Sequence, residues 1–470
     1  MAAVFNALFT RDSSKSFGYD FLDDGSSRKT GIFAIRKAKK KEAARARNCL
    51  KRVKTLRHPS VILYLESLET ESTLDIVTES VQPLTCYLES IESVPNKDAI
   101  LAWGILQIAN ALLFLSRDAK LHHGRISVTS VYVNKCCEWK LFGFEHLFTT
   151  DSAEGDYLSP SSDVYQPRGL SRRAATCFNA YGLGCFIWEV YNGIVPSMES
   201  LKNRRSVPVS LANPYKQLVS GKINIEYFID DGRKPNGYLN NKLINALLFL
   251  DEFQLKTPSE QSHFLGNIVQ CINMFPKNVQ VNKILPQLVH AVEFGCSGSA
   301  VVSVLLSIGE HLNENEYAAS LVPVILILFS SQDRSTRVKL LQELEHYVQH
   351  IKSDVINDKM FPSIVTGFLD TNATVREVTV KSIVHIAPRL NYNNLNIELM
   401  RHFARLLSKD EDGSVRTNTV ICLGKIASSL HNEVLCAPLF KMIIISQLFY
   451  RLYPAYEQRD LLEQRKTSLL

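Results

Sequence analysis

Residues 121–145 read "LHHGRISVTSVYVNKCCEWKLFGFE", and their spacing traces a phosphoryl-transfer site whose charges have been exchanged. In such a site a His opens a loop and a carboxylate base stands two residues on. An amide metal ligand follows five residues later, and a second carboxylate ends a short hairpin just before a Phe. With His123 as anchor, the base position holds Arg125, the amide position Ser130 and the hairpin acid position Gly143, followed by Phe144 and Glu145. Arg125 cannot accept a proton, and its charge repels a divalent cation. A hydroxyl replaces one metal ligand, and nothing replaces the other.

The elements that must position these residues give the same result. The run "FAIRK" has the form of the strand that carries a phosphate-anchoring lysine in protein kinases, with Arg36 in the lysine position. Its acidic partner should lie ten residues before the proline of "LRHP", which is Cys49, so no ion pair can form. No Gly-x-Gly-x-x-Gly precedes "FAIRK", and "GSSRKTG" (25–31) reads as a loop. Downstream, "QPRGL" puts Gly169 where a kinase keeps a glutamate. "NAYGLGCFIWEVYNG" puts Asn179 where an aspartate braces the catalytic loop. The apolar frame is retained while the chemistry is lost in register. No catalytic residue, metal or cofactor is expected.

Two regimes divide the chain. Strand-like runs ("GIFAI", "LDIVTES", "VYV") alternate with helical patterns up to about residue 200, which predicts an α+β unit. Residues 200–245 are richer in Pro, Gly and Asn and read as an irregular connection, so the first domain is placed at 1–245. From 246 to 430 the pattern is helical and repeats. Pro286, Pro323 and Pro362 are read as helix openers, Asp333, Asp370 and Asp412 as turn residues, and Arg337, Arg376 and Arg416 as residues opening second helices. The arginines are 39 and 40 residues apart, a HEAT/armadillo period. One helix pair cannot bury its own apolar face, so the pairs must stack into an all-α solenoid. The pattern fails across 431–470, read as an atypical tail.

Composition is that of an ordinary globular chain, 46% hydrophobic and 21% charged, and a net charge of +6 over 470 residues makes no general case for nucleic acid. One segment is locally basic: "RKAKKKEAARARNCLKRVKTLR" (36–57), in which Lys39, Lys40, Lys41, Arg45 and Arg47 form a candidate contact patch. The ten cysteines show no C-x-x-C pair, so reduced thiols are expected rather than zinc. The N-terminus does not have the form of a secretory signal, and the apolar run "LVPVILILF" is about half of what a bilayer span needs. A soluble intracellular protein is expected.

The motifs of both halves together resemble one family. "LKRVKTLRHPSVILYLESLETES", "LDIVTESVQPL", "EWKLFGFE", "GLGCFIWEVYNG", "GFLDTNATVREVTVKS", "LNIELMRHFARL" and "CLGKIAS" are similar to the N-terminal kinase-like proteins, the Scy-like pseudokinases, over roughly 30–430. The resemblance implies a degenerate kinase domain followed by HEAT repeats. It also implies an inactive scaffold or adaptor in Golgi–ER retrograde traffic with COPI coats or small-GTPase-linked proteins, cytoplasmic and peripheral at those membranes. A tRNA-export or translation-linked adaptor, with the basic segment meeting phosphates, and a weakly ATP-binding residual kinase are the alternatives. The segment at 20–35 is shorter than the family's nucleotide loop. The ending "KTSLL" differs from the family's basic coat-binding tail.

Overall fold

The computed structural model describes residues 32–36, 40–70, 73–149, 163–165, 175–295 and 298–435. The segment 25–31, Lys39, Gly169 and the tail beyond 435 therefore lie outside the described residues. Two compact units are present: the first runs through Glu252 and takes back Met274–Lys283, and the second comprises Phe253–Asn273 and the chain from Ile284.

In the first unit, β1 (Ile32–Arg36), β2 (Tyr64–Glu69) and β3 (Thr73–Thr78) form an antiparallel sheet in the order β1-β3-β2. Ile32 stands opposite Val77 and Arg36 opposite Thr73. Helix α1 (Lys40–Thr55) buries Ala46, Cys49, Leu50 and Val53. That is one stripe at helical spacing, so Arg47, Lys51 and Lys54 are left facing solvent. A second sheet, β4 (Val81–Pro83), β6 (Val131–Asn134) and β7 (Trp139–Leu141), runs in the order β4-β6-β7. The short strands β5 (Leu121–His122) and β8 (Phe148–Thr149) pair with each other.

Around these strands lie α2 (Leu84–Ser90), α3 (Lys97–Arg117), α4 (Ala175–Asn192), α5 (Val209–Val219), α6 (Ile225–Arg233) and α7 (Lys242–Asp251). Helix α3 is long and apolar enough to cross a bilayer, but its span from Ile100 to Ala109 is buried without a break, as in a core helix. Gly104 makes that packing feasible, because a Cβ there would lie 2.1 Å from the Trp139 ring. The Trp139 N–H donates to Gln107 Oε1 at 2.9 Å, which satisfies a buried donor inside the same contact.

The second unit is built from helix pairs. After α8 (Pro258–Cys271) come α9 (Leu285–Glu293) and α10 (Ser299–Gly309), then α11 (Glu314–Phe329) and α12 (Arg334–Gln342). These are followed by α13 (Phe361–Val365) with α14 (Ala373–Ile386), and α15 (Leu399–Lys409) with α16 (Gly413–Ile426). Pro286 and Pro362 are the second residues of α9 and α13, each just after a π-helical turn (Gln280–Ile284 and Ile356–Met360). Pro323 differs from the expectation, since it lies inside α11 rather than opening it. Its exposed position explains the tolerance: the carbonyl that loses its N–H partner can bond to water.

Arg337, Arg376 and Arg416 each occupy the fourth position of a second helix. Arg376 forms a fork with Asp410 of the next pair (2.7 and 2.8 Å) and donates to the Asp370 carbonyl at 2.9 Å. Arg337 donates to Thr366 Oγ1 at 2.6 Å, and Arg416 to the Asp410 carbonyl at 2.6 Å. The turn residues fall into two registers, where the sequence suggests a single row of aspartates. Asp333, Asn372 and Asp412 cap their own helices, whereas Ser331, Asp370 and Asp410 accept from the backbone N–H of those caps. Asparagines add a second tie: Asn357 Oδ1 accepts from the Asn391 N–H at 2.8 Å, and Asn396 Oδ1 from the His431 N–H at 2.9 Å.

Candidate functional site

The candidate site is the loop from His122 to Ser130 together with the β7 hairpin end, Phe142–His146. Its first anchor is Asn179 on α4, fully buried. Asn179 Oδ1 accepts from the His123 N–H at 3.0 Å, while Nδ2 donates to the Leu121 carbonyl at 3.0 Å and to Ser116 Oγ at 2.7 Å. An amide can donate and accept at once, which a carboxylate in this position could not do.

His123 Nε2 lies 2.7 Å from the Phe142 carbonyl, and burial holds its pKa down at about 4. A neutral imidazole therefore staples the loop to the hairpin.

The second anchor is Glu189, 1% exposed. Its carboxylate accepts from Ser127 Oγ (2.7 Å), the Val128 N–H (2.8 Å), Tyr165 Oη (2.5 Å) and the Val195 N–H (3.1 Å). With four donors the buried charge is well compensated.

Ser130 is spent on the loop itself. Its Oγ donates to the Ser127 carbonyl at 2.8 Å and accepts from the Ser127 N–H at 3.1 Å. Gly143 has φ +77°, and a Cβ built on it would lie 2.8 Å from the Ser130 Cβ. The hairpin acid position is thus closed twice, by a left-handed backbone and by the side chain in the neighbouring ligand position.

Helix α1 meets the hairpin through a residue that the sequence reading passed over. Asn48 Nδ2 donates to the carbonyls of Phe144 (3.3 Å), Glu145 (3.4 Å) and Leu147 (3.0 Å). Cys49, one position on, is buried, and desolvation pushes its thiol up to about 12, with Glu145 adding to the rise. It is an inert core thiol at neutral pH. The exposed arginines and lysines of α1 meet few acids: Arg47 Nε lies 2.9 Å from Glu69, an exposed pair, and Lys54 sits 5.4 Å from the centre of the Tyr64 ring.

The structure therefore gathers Arg125, Ser130, Gly143 and Asn179 at one loop, with Cys49 behind Glu145. Arg36 is placed by its backbone at the end of β1, and Lys40 and Lys41 at the start of α1. Among the described residues no group of three His, Cys, Asp or Glu side chains could hold a metal ion.

The loop held by Asn179, the hairpin and the antiparallel sheet with α1 define a kinase-like unit, and helical repeats follow it. No family model matches the chain. It is 34% identical over 425 residues to the probable inactive serine/threonine-protein kinase scy1 of Dictyostelium discoideum, covering 87% of this chain and 51% of that relative. It is 23% identical over 405 residues to the mouse protein-associating with the carboxyl-terminal domain of ezrin, covering 80% of this chain and 52% of that one. The crystal structure of Cex1p shares the fold with a TM-score of 0.59 at 24% identity, over 85% of this chain and 76% of that one. The chain spans about half the length of the two curated relatives. It belongs to the Scy1-like family of kinase-like proteins.

Proposed function

We propose that the chain is a catalytically silent kinase-like scaffold that works by holding other proteins, as a cytoplasmic adaptor in coat-associated membrane traffic between Golgi and ER. The observation that carries the inactive half is the closure of position 143. Without an acid there and with a cation at 125, neither a magnesium ion nor a substrate proton has an acceptor. The Dictyostelium relative's name, probable inactive kinase, supports this reading, and the mouse relative's name supports a protein partner. The repeats supply stacked helix pairs, an architecture suited to extended protein contacts. The test pairs two assays on the full chain: phosphotransfer from ATP·Mg²⁺ to generic substrates, expected to be absent, and capture of purified coatomer, expected to be saturable. Phosphotransfer that tracks with this chain sinks the first half; absence of coatomer binding sinks the second.

A second reading rests on α1, where Arg47, Lys51 and Lys54 share an exposed stripe and no acid occurs between Ala44 and Thr55. Such a stripe suits a phosphate backbone, as in a tRNA-linked adaptor. A steep loss of tRNA binding with salt, reduced by charge reversal at Lys51 and Lys54, would support it.

A further inference from the structure

Among the described residues, Arg125 carries a charge that no acidic side chain answers. The loop that presents it is fixed on both sides, by Asn179 at His123 and by Glu189 at Ser127 and Val128. Between them Gly124 turns with φ +70°, and a side chain there would meet the His146 carbonyl at 2.5 Å. The guanidinium lies 5.5 Å from the centre of the Tyr165 ring, and its Nε is buried with no hydrogen-bond acceptor. The carboxylate close at hand, Glu189, is taken up by its four donors, and no ion pair joins it to Arg125. A half-buried guanidinium without an acceptor costs desolvation free energy that a bound anion would recover. Its rigid fork matches the two oxygens of a carboxylate or a phosphoryl group.

We propose that Arg125 anchors a recognition site for a single oxyanion carried on a peptide of a partner protein, a phosphorylated or acidic side chain docking where a catalytic base would otherwise stand. One fork neutralises one such group. A triphosphate would bring several charges to a loop packed against the hairpin that carries Glu145, which is itself acidic and exerts its field on Cys49 and Tyr132. The peptide is therefore favoured over a nucleotide. This inference does not depend on the trafficking reading, since it concerns the first unit alone.

Calorimetric titration of the full chain with O-phosphoserine, N-acetylaspartate and ATP in EDTA tests it. Saturable binding of phosphoserine, of acetylaspartate or of both is expected. Arg125→Gln should weaken it about tenfold or more, and Arg125→Lys should be intermediate. Thermal stability of Arg125→Gln should be unchanged or higher, because an uncompensated charge has gone. A structural arginine would lose stability instead. Equal binding by the Gln variant, no binding of either small oxyanion at millimolar concentration, or tighter binding of ATP than of both would each overturn the proposal.

Discussion

The ammonium of Lys283 lies 2.7 Å from a carboxylate oxygen of Glu138, a residue 145 positions earlier in the chain. Lys140 meets the other oxygen of Glu138 at 3.0 Å, and Asp251 meets Lys283 at 2.8 Å. Beside them, Asn282 Nδ2 donates to the Lys135 carbonyl at 3.2 Å. These contacts hold Met274–Lys283 in the first unit although helices of the second unit flank it on either side in sequence.

Removing the cation should therefore leave a nearly buried carboxylate short of one partner. Lys283→Met is expected to cost the first unit about 2–4 kcal/mol in urea unfolding. Burial by itself would raise the Glu138 pKa, but the two ammonium groups outweigh it and bring the value to about 2. A depressed carboxylate contributes stability above its unfolded pKa and loses it as pH falls through the folded value. The contribution should then fade between about pH 4.5 and 2 in the parent, and be reduced in the variant, which keeps only Lys140 as a cationic partner. Identical acid profiles for the two chains would contradict the pairing.

Restoring an acid at the hairpin should fail as repair. Gly143→Asp is expected to lose about 1–3 kcal/mol from the left-handed backbone and the Ser130 contact, with no melting shift on adding Mg²⁺. The double variant with Ser130→Gly should recover part of the loss. A magnesium-dependent rise in melting temperature for Gly143→Asp alone would show that the position is not closed.

The fork between Arg376 and Asp410 should couple neighbouring helix pairs. Both side chains are largely buried, at 14% and 4% exposed, so solvent screening is modest. A double-mutant cycle with Arg376→Ala and Asp410→Ala should give an interaction of about 1–3 kcal/mol. Arg376→Lys should recover little of it, because a point charge cannot make the fork. A coupling near zero would reduce the ladder to packing.

Two buried histidines should make the first unit acid-labile. Burial lowers the pKa of His122, whose ring nitrogens have no hydrogen-bond partner, and holds that of His123 at about 4. With folded values below the ordinary 6.5, the unfolded chain takes up protons first, so stability is complete above about pH 6.5 and falls as pH drops toward 4. Melting temperature followed by circular dichroism should decline across that window. His122→Phe should flatten the decline, since its neighbours are the rings of Phe148 and Phe178. An unchanged slope would remove His122 from the account.

Much of this was legible in the sequence because it is local or periodic. The loop spacing from His123 to Ser130 is carried by consecutive residues, and the arginine period of 39 and 40 residues by the repeat itself. The rest depends on what folding brings together. Proline-based counting points to Cys49, but adjacent helix positions differ by about 100° in direction, and it is Asn48 that faces the hairpin carbonyls. "DED" holds two aspartates that local pattern cannot rank, so the Asp410 fork stayed hidden behind the Asp412 cap. The return of Met274–Lys283 has no sequence signature, because its reason is the distant Glu138.

The Ser130–Gly143 contact also bears on descent. With the hairpin in a left-handed turn at Gly143 and the Ser130 β-carbon against it, an acid restored at 143 alone meets strain and a close contact before it can bring any benefit. Mutations arrive singly, so a first step that regains an acid at 143 is uphill, and the geometry acts as a ratchet against its return.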